Sequence, residues 1–424
     1  MHPIVVDLSY GDSGKGTGVD WLVATQPVGA VVRFNGGAQA AHNVVLPSGQ
    51  HHTFSQFGSG LLARSIITYL SAHMLVEPFA LMAEAEHLQA LGITNPLKLV
   101  VVDRDALITT WFHRAANQAR ELARGAARHG SCGIGIAETM MYALAHPNDA
   151  IYARDLDSPR RLAGKLTDLR DCLEAELGPL SGPDGSRPTI DDLVIGYREF
   201  AQQVRIVDQS YLKDLLEHTN VVFEGAQGVL LDEWRGFHPH TTWSTTTFDN
   251  AERLLVECGH GGEGYRIGVT RTYATRHGAG PFPTEDPALT LDLPDTHNVH
   301  GAWQGAFRVG HFDAVTARYA LAACGGADGL LVTHLDVAEA RDDLRICTSY
   351  EIDGQCISDI ELGPYRDLEH QANLTDQLWK ARANLENPGC GWIEAIEAVC
   401  NVPVIAGSWG MTSADKRRIT AGRR

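Results

Sequence analysis

The chain reads as an α/β protein with a mainly parallel central sheet, helices on both faces and a P-loop-like nucleotide site. Three observations predict this. Short β-branched or aliphatic runs recur along the 424 residues, at Ile4–Leu8, Ala30–Phe34, Leu97–Val102, Val221–Phe223, Leu330–Thr333 and Val402–Ala406. Longer helical patterns lie between them, at Pro78–Leu91, Leu107–Arg128 and Asp313–Ala323, an alternation that makes parallel strands joined by crossover helices. Several strand runs lead straight into glycine-rich or polar segments, which in such a sheet gather beyond the carboxyl ends of the strands, where ligands bind.

The first element is the most informative. Residues 4–17, IVVDLSYGDSGKGT, run an apolar strand directly into a glycine-rich turn. Gly11, Gly14 and Gly16 let the backbone fold tightly enough for several N–H groups to face one anion. The helix expected from Gly18-Val19-Asp20-Trp21-Leu22 adds its positive N-terminal end. Lys15 supplies a mobile cation and Thr17 a hydroxyl. Asp12 is the unexpected member, because a loop that only cradles phosphate gains nothing from a carboxylate. Here it suggests a magnesium ligand or a proton acceptor beside a transferring phosphoryl group. The standard P-loop puts four residues between its first glycine and the Gly-Lys pair; this chain has two. A plain strand-to-helix turn is the bland alternative, and the helix that follows favours phosphate.

The second segment, Val31-Val32-Arg33-Phe34-Asn35-Gly36-Gly37-Ala38-Gln39-Ala40-Ala41-His42, repeats that logic: a strand, small residues, then a side chain capable of acid–base work. Taken alone, His42 reads more readily as a structural histidine. Residues 155–220 are more helical and polar, broken by a surface loop at Gly182–Pro188. The third segment, Phe223-Glu224-Gly225-Ala226-Gln227-Gly228-Val229-Leu230-Leu231-Asp232, is trailed by the hydroxyls of Thr241, Thr242, Ser244 and Thr245–Thr247. A glutamine beside glycines can hydrogen-bond a nucleotide, or the run is a simple strand-end turn. The fourth, Thr275–Glu285, carries too many glycines and prolines for regular structure, and Leu344–Leu362 patterns as a hairpin turning at Asp353-Gly354. No long linker, repeat or low-complexity tract divides the chain. A single domain over 1–424, with a helical insertion at about 155–220, is the expected organisation.

Composition narrows the function. There are 35 basic against 52 acidic residues, a net charge of −17, which argues against a nucleic-acid polymer as partner and leaves room for a small anion held by a few local cations. The eight cysteines are scattered without a C-x-x-C pair and read as reduced thiols. The chain opens directly on a strand, leaving no room for a signal peptide, and no apolar run reaches membrane-spanning length, so no membrane partner and a cytoplasmic location are expected. His51-His52 and His238-Pro239-His240 lack zinc-ligand spacing and read as loop or core histidines.

Taken together, the four segments resemble the adenylosuccinate synthetase family, almost end to end. The words that carry the resemblance are the GD-x-GKG loop, VVR-aromatic-x-GG…H, FEGAQG-x-LLD, TR-x-GAGPFPTE, and Leu335-Asp336. The resemblance implies the family's fold and a Mg²⁺-dependent ligase joining L-aspartate to C6 of a purine nucleoside monophosphate at the expense of a nucleoside triphosphate. It implies that Asp12 takes the N1 proton and, with Ala41, holds Mg²⁺. The purine O6 then attacks the γ-phosphate, and His42 stabilises the charge that builds there. Position by position, Gly11, Gly14, Lys15, Gly16 and Thr17 would cradle the triphosphate, and Lys15 would share in catalysis. Gln39, Gln227 and Thr242 would hold the purine nucleotide, with Ser131 and Cys132 where the family has two threonines. His334, Asp336, Ser408, Trp409 and Gly410 fall where the family grips the donor's base, and Arg308 would receive the aspartate carboxylates. A homodimer is the usual assembly.

The departures lie around the substrates. Ordinary members read GDEGKG, and here Ser13 replaces the glutamate; Ile134 stands for the arginine of GTTGRGIGP; a run of four arginines shrinks to Arg308 within Gly305–Asp313; His334 replaces a lysine. No counterpart of the arginine that reaches a neighbouring subunit's nucleotide is found near residues 146–152. GDSGKGT-x-VDWL together with WQG-x-FR-x-G-x-FD resembles the branch of viral 2-aminoadenylosuccinate synthetases, which use dGMP on the route to diaminopurine. Guanine keeps the N1–H and O6 that the chemistry needs and adds a 2-amino group, for which Ser13 would leave space and a hydroxyl. Leaving that amine buried and unpaired would cost roughly 1–3 kcal/mol. An IMP-using enzyme with GTP is the alternative, and a catalytically silent nucleotide-binding regulator the third reading. ATP and GTP both remain open as donors.

Overall fold

Aliphatic side chains in the strands alternate between two apolar cores. In the first strand, His2–Asp7, Ile4 and Val6 pack into one core and Val5 into the other; in Val28–Arg33, Ala30 and Val32 face the first and Val28 and Val31 the second. A period of two with both faces apolar requires cover on both sides. A computed structural model, which describes residues 1–125, 130–293, 305–389 and 391–419, shows that cover. The helices Lys15–Thr25, Pro78–Ala90, Pro159–Leu177 and Ile190–Gln203 close one face. Ser210–His218, Asp249–Glu257, Ala314–Ala323 and Trp392–Cys400 close the other.

The main sheet has ten strands, in the order Lys416–Arg418, Val404–Ser408, Gly329–Thr333, Gly264–Arg271, His2–Asp7, Asn220–Gly228, Val28–Arg33, Ile67–Leu70, Val100–Asp103, Arg205–Val207. All neighbours are parallel except the Lys416–Arg418 edge. The carboxyl ends therefore share one rim. A second, five-stranded sheet is built from Tyr273–His277, Phe307–Asp313, Ile346–Ile352, Gln355–Ile357 and Arg382–Glu386. It includes the hairpin expected at Asp353-Gly354. Residues 159–218 are largely helical, and Arg205–Val207 within them also extends the main sheet.

Local physics moves some expected boundaries. Pro96 opens a 3₁₀ turn over Pro96–Leu99, so the strand expected from Leu97 starts at Val100. Leu107-Ile108, expected to open a helix, instead pair in parallel with Leu75-Val76. That helix starts at Trp111, where the Thr110 side chain accepts from the His113 N–H and His113 Nδ1 accepts from the Thr110 N–H, a reciprocal cap. It runs to Arg124; the end expected at Arg128 lies outside the described residues, as do Trp303, Gln304 and Cys390. The run expected at Val221–Phe223 stays extended through Gly228. The seven described cysteines are free. Among the described residues no helix is long and apolar enough to cross a membrane.

Candidate active site

The turn after the first strand is wound by three left-handed residues, Gly11 (φ 99°), Asp12 (φ 59°) and Gly14 (φ 94°). Such a turn points successive N–H groups to one side. Gly14 precedes the Lys15–Thr25 helix without capping it by a side chain, so the first-turn N–H groups of that helix stay open to an anion. Gly16 is needed for close approach, since a Cβ there would lie 2.5 Å from the Cβ of His42. Beneath the loop, fully buried Asp7 accepts from the Ser9 N–H (2.9 Å) and Oγ (2.8 Å), the Ser13 N–H (2.8 Å) and Oγ (2.9 Å), and Lys15 Nζ (3.1 Å). Burial alone would raise the pKa of Asp7, but the Lys15 charge and these hydrogen bonds bring it below the usual carboxylate range.

Asp12 faces a cleft at the shared rim of the sheet. Its pKa is raised by burial, an effect opposed by His277, Lys15 and Arg271 and reinforced by Asp7. His277 Nε2 lies 3.7 Å from Asp12 Oδ2, and Arg271 donates to the Asp12 carbonyl (3.1 Å). Arg271 also bonds Tyr273 and approaches His334 Nε2 (3.1 Å). Across the cleft, His42 Nδ1 is 2.7 Å from Glu224 Oε1, and Ser59 meets both Glu224 oxygens through its N–H and hydroxyl. Burial would raise the pKa of Glu224, but the Arg33 charge and the His42 and Ser59 hydrogen bonds outweigh it and bring it down to about 2. Burial lowers His42 to about 4 against the pull of Glu224. The pair is thus a carboxylate holding a neutral imidazole by its Nδ1–H, with Nε2 as the other ring nitrogen.

Two features mark the cleft as a polar-ligand site. Of the seven non-glycine residues with positive φ among the described residues, Asp12, Gln227 (φ 57°) and His334 (φ 59°) all line it, and backbone strain of this kind concentrates where a ligand must be met. Both amide atoms of Gln39 and the Oε1 of Gln227 are buried without a hydrogen-bond partner. Orphaned amides are costly unless a ligand supplies the partner.

Of the residues singled out in the sequence, Gly11, Asp12, Gly14, Lys15, Gly16, Thr17, Gln39, Ala41, His42, Gln227, His334, Asp336, Ser408 and Gly410 line this one cleft. The others do not. The Ser13 hydroxyl, expected to face the purine, is fully buried and donates to Asp7 (2.9 Å), because the left-handed turn rotates it under the loop. Ser131 is bonded to Asn117 (3.0 Å), and neither it nor Cys132 reaches the cleft wall. Thr242 is held by its N–H to Leu231 O (2.8 Å) outside the wall. Trp409 is turned to Glu339 (2.8 Å). Arg308 is engaged by Glu285 (2.7 Å) and by the carbonyls of Gly278 and Gly280, so in this arrangement it offers no free fork to a carboxylate ligand. Sequence reasoning missed Glu224, Arg271 and His277. Each sits inside or beside a quoted motif, and the signal for Glu224 was an acidic residue in an otherwise apolar strand.

On the helix behind the loop, Asp20 is fully buried and neither of its carboxylate oxygens has a hydrogen-bond partner. Burial raises it to about 7, tempered by the Lys416 charge. Lys416, lowered to about 8 by burial, donates to Thr17 Oγ1 (2.5 Å) and to Thr412 O (3.0 Å).

A parallel-sheet cleft that combines an anion-binding turn, a carboxylate of raised pKa and a histidine–carboxylate pair has the make-up of an enzyme working through phosphoryl transfer. The chain belongs to the adenylosuccinate synthetase family, whose profile matches residues 4–416, and it is a carbon–nitrogen ligase of that type. It is 34% identical over 424 residues to the adenylosuccinate synthetase of a Polaromonas species, covering 95% of this chain and 92% of the relative. It is 35% identical over 354 residues to that of Xylella fastidiosa strain 9a5c, covering 82% and 80%. Its fold matches the fully ligated adenylosuccinate synthetase of Plasmodium falciparum with a TM-score of 0.82 at 20% identity, over 99% of this chain and 100% of the other. It also matches the cyanophage S-2L succinoaminodeoxyadenylate synthetase (PurZ), solved with dGMP and with dATP as an energy donor, with a TM-score of 0.63 at 19% identity, over 98% and 94%.

Two expectations follow from the geometry. Glu224→Gln should lower kcat by about 10²-fold, the usual worth of a positioned acid–base group, and turnover within twofold of wild type would remove the pair from catalysis. Asp20→Asn should melt above wild type at pH 8, where the native state carries a desolvated anion that the unfolded chain keeps in water. The gap should narrow as pH falls through about 7 and close below the unfolded value of 3.8, where both states are protonated; equal melting temperatures at pH 8 would show that the carboxylate is already neutralised.

Proposed function

We propose that this ligase couples L-aspartate to C6 of dGMP through a 6-phosphoryl intermediate, giving 2-amino-2′-deoxyadenylosuccinate. The observation that carries the reading is the corner at position 13. Where ordinary members place a glutamate, this chain has a serine whose side chain is folded onto Asp7, so no carboxylate projects there and bulk is removed. Ser13 lies under the loop and does not line the cleft, so it supports the reading as a departure from the ordinary loop and not as a contact to the 2-amino group. The fold likeness to a dGMP-bound synthetase is consistent with this reading.

The chemistry assigns work to each wall of the cleft. Asp12, whose pKa burial raises, is suited to take the N1 proton, which makes O6 nucleophilic. The orphaned amides of Gln39 and Gln227 would orient the purine. Lys15 and the open N–H groups of the loop would hold the triphosphate, and His42 would become cationic as a polyanion arrives, supported by Glu224. Oxygen donors suit Mg²⁺, and the Asp12 carboxylate and the Ala41 carbonyl, both of residues that line the cleft, would hold it. When bound, Mg²⁺ would supply charge neutralisation for the phosphoryl group. Phosphate then leaves C6 as the aspartate amine attacks, replacing a carbonyl oxygen that could not leave. We read the enzyme as a cytoplasmic homodimer.

The second reading, an enzyme acting on IMP with GTP, is favoured by the Polaromonas and Xylella fastidiosa relatives, both named adenylosuccinate synthetase. Incubating the protein with aspartate, Mg²⁺ and each pairing of IMP, GMP or dGMP with ATP or GTP separates the two, with the succinylated product read by mass spectrometry. Product from dGMP well above that from IMP is expected; product from IMP alone overturns the dGMP assignment. In the same series Asp12→Asn should bind nucleotide and turn over at least 10²-fold more slowly.

A further inference from the structure

We propose that Asp7 is the positioning residue of the nucleotide loop: it fixes the loop backbone through Ser9 and Ser13, anchors the Lys15 ammonium, and so stands in for an acidic side chain at position 13. The proposal rests on the proposed function, in reading Lys15 as a triphosphate ligand and dGMP as the purine nucleotide bound; a full chain that takes up no dGMP would count against that function first.

Asp7 ends the first strand with no exposed surface, a place where a carboxylate is costly unless its lone pairs are met. Five donors meet them, divided between the two oxygens. Oδ1 takes the Ser9 N–H, the Ser9 hydroxyl and the Ser13 hydroxyl; Oδ2 takes the Ser13 N–H and Lys15 Nζ. The two backbone donors lie four residues apart, so one carboxylate holds both ends of the left-handed turn that contains Asp12. Lys15 is the charged donor. It spends one of its three N–H bonds on Asp7 and lies on the cleft wall, which leaves two for phosphate oxygens. A lysine on a four-carbon stem is otherwise slow to order, and anchoring it beforehand lessens the entropy lost on binding.

The arrangement also accounts for Ser13 from within this chain. Its side chain is fully buried against Asp7, and a glutamate there would press a second negative charge onto the first. Two carboxylates so placed cannot both ionise. Aspartate at 7 and serine at 13 therefore form one unit, and neither substitution is neutral without the other.

The test measures binding of MgATP, MgGTP and dGMP by titration calorimetry to the full chain and to Lys15→Ala, Asp7→Asn, Ser13→Ala, Ser13→Glu and Asp7→Asn/Ser13→Glu. Asp7→Asn is expected to weaken the better-bound triphosphate about tenfold while leaving dGMP within twofold, a split that a merely structural role would not give. Ser13→Ala should show the same split at about threefold, and keeps every backbone donor should Asp7→Asn fail to fold. Ser13→Glu should be the weakest, and adding Asp7→Asn to it should restore at least about tenfold. Equal losses for triphosphate and dGMP, or a double variant no better than Ser13→Glu, overturns the proposal. Undiminished triphosphate binding by Lys15→Ala would instead overturn the reading of the loop itself, and the proposal with it.

Discussion

Hydrogen bonding along both edges of the His2–Asp7 strand is the constraint on which the cleft depends. The strand is parallel to Asn220–Gly228 on one side and to Gly264–Arg271 on the other, with Asp7 opposite Gly228 and Val269. Because the pairing is parallel, the segments that follow all three strands emerge at the same rim, carrying Asp12, the chain beyond Gln227, and Arg271. Gly228 completes the constraint: a Cβ there would collide with the backbone of Ser9 and Gly11, so the strand end and the loop can touch only through glycine. A slip of one residue would send Asp7 to the opposite face of the sheet and dissolve the loop it holds.

Electrostatics then divides the labour between similar groups. Asp12 lines the cleft and Glu224 lies buried against His42, and burial raises the first while Arg33, His42 and Ser59 bring the second down to about 2. Environments that push two such groups apart are how one site sets a proton acceptor beside a permanently charged support. The net charge of −17 does not oppose anionic substrates, because Lys15, Arg271 and the helix end act at contact distance, whereas surface acids are screened beyond about 8 Å at physiological salt.

Much of this was legible in the sequence, for reasons that can be stated. Period-two aliphatic runs gave the strands, and glycines with a carboxylate and lysine at the end of the first run gave the loop. FEGAQG was quoted as a site segment, but its glutamate passed unnoticed because its partner, His42, is 182 residues away and only the sheet register brings them together. Asp7 read as an ordinary strand residue, since nothing local says that its carboxylate will be roofed by the residues just after it. Ser13 was placed in the right loop but facing the wrong way, because a left-handed turn inverts the direction that a simple strand-to-helix reading assumes. Leu107-Ile108 joined a helix on paper because two apolar residues ahead of a helical run match its period by chance, and tertiary pairing decided otherwise.

The link from Lys416 to Thr17 joins residues 399 positions apart. The glycine-rich loop is braced by a segment translated long after it, so a nascent chain carries the loop well before it carries that brace. Fragments that stop short of Lys416 lack that brace. Such a topology ties the assembly of the cleft to a contact of high sequence separation, the kind that forms slowly in folding.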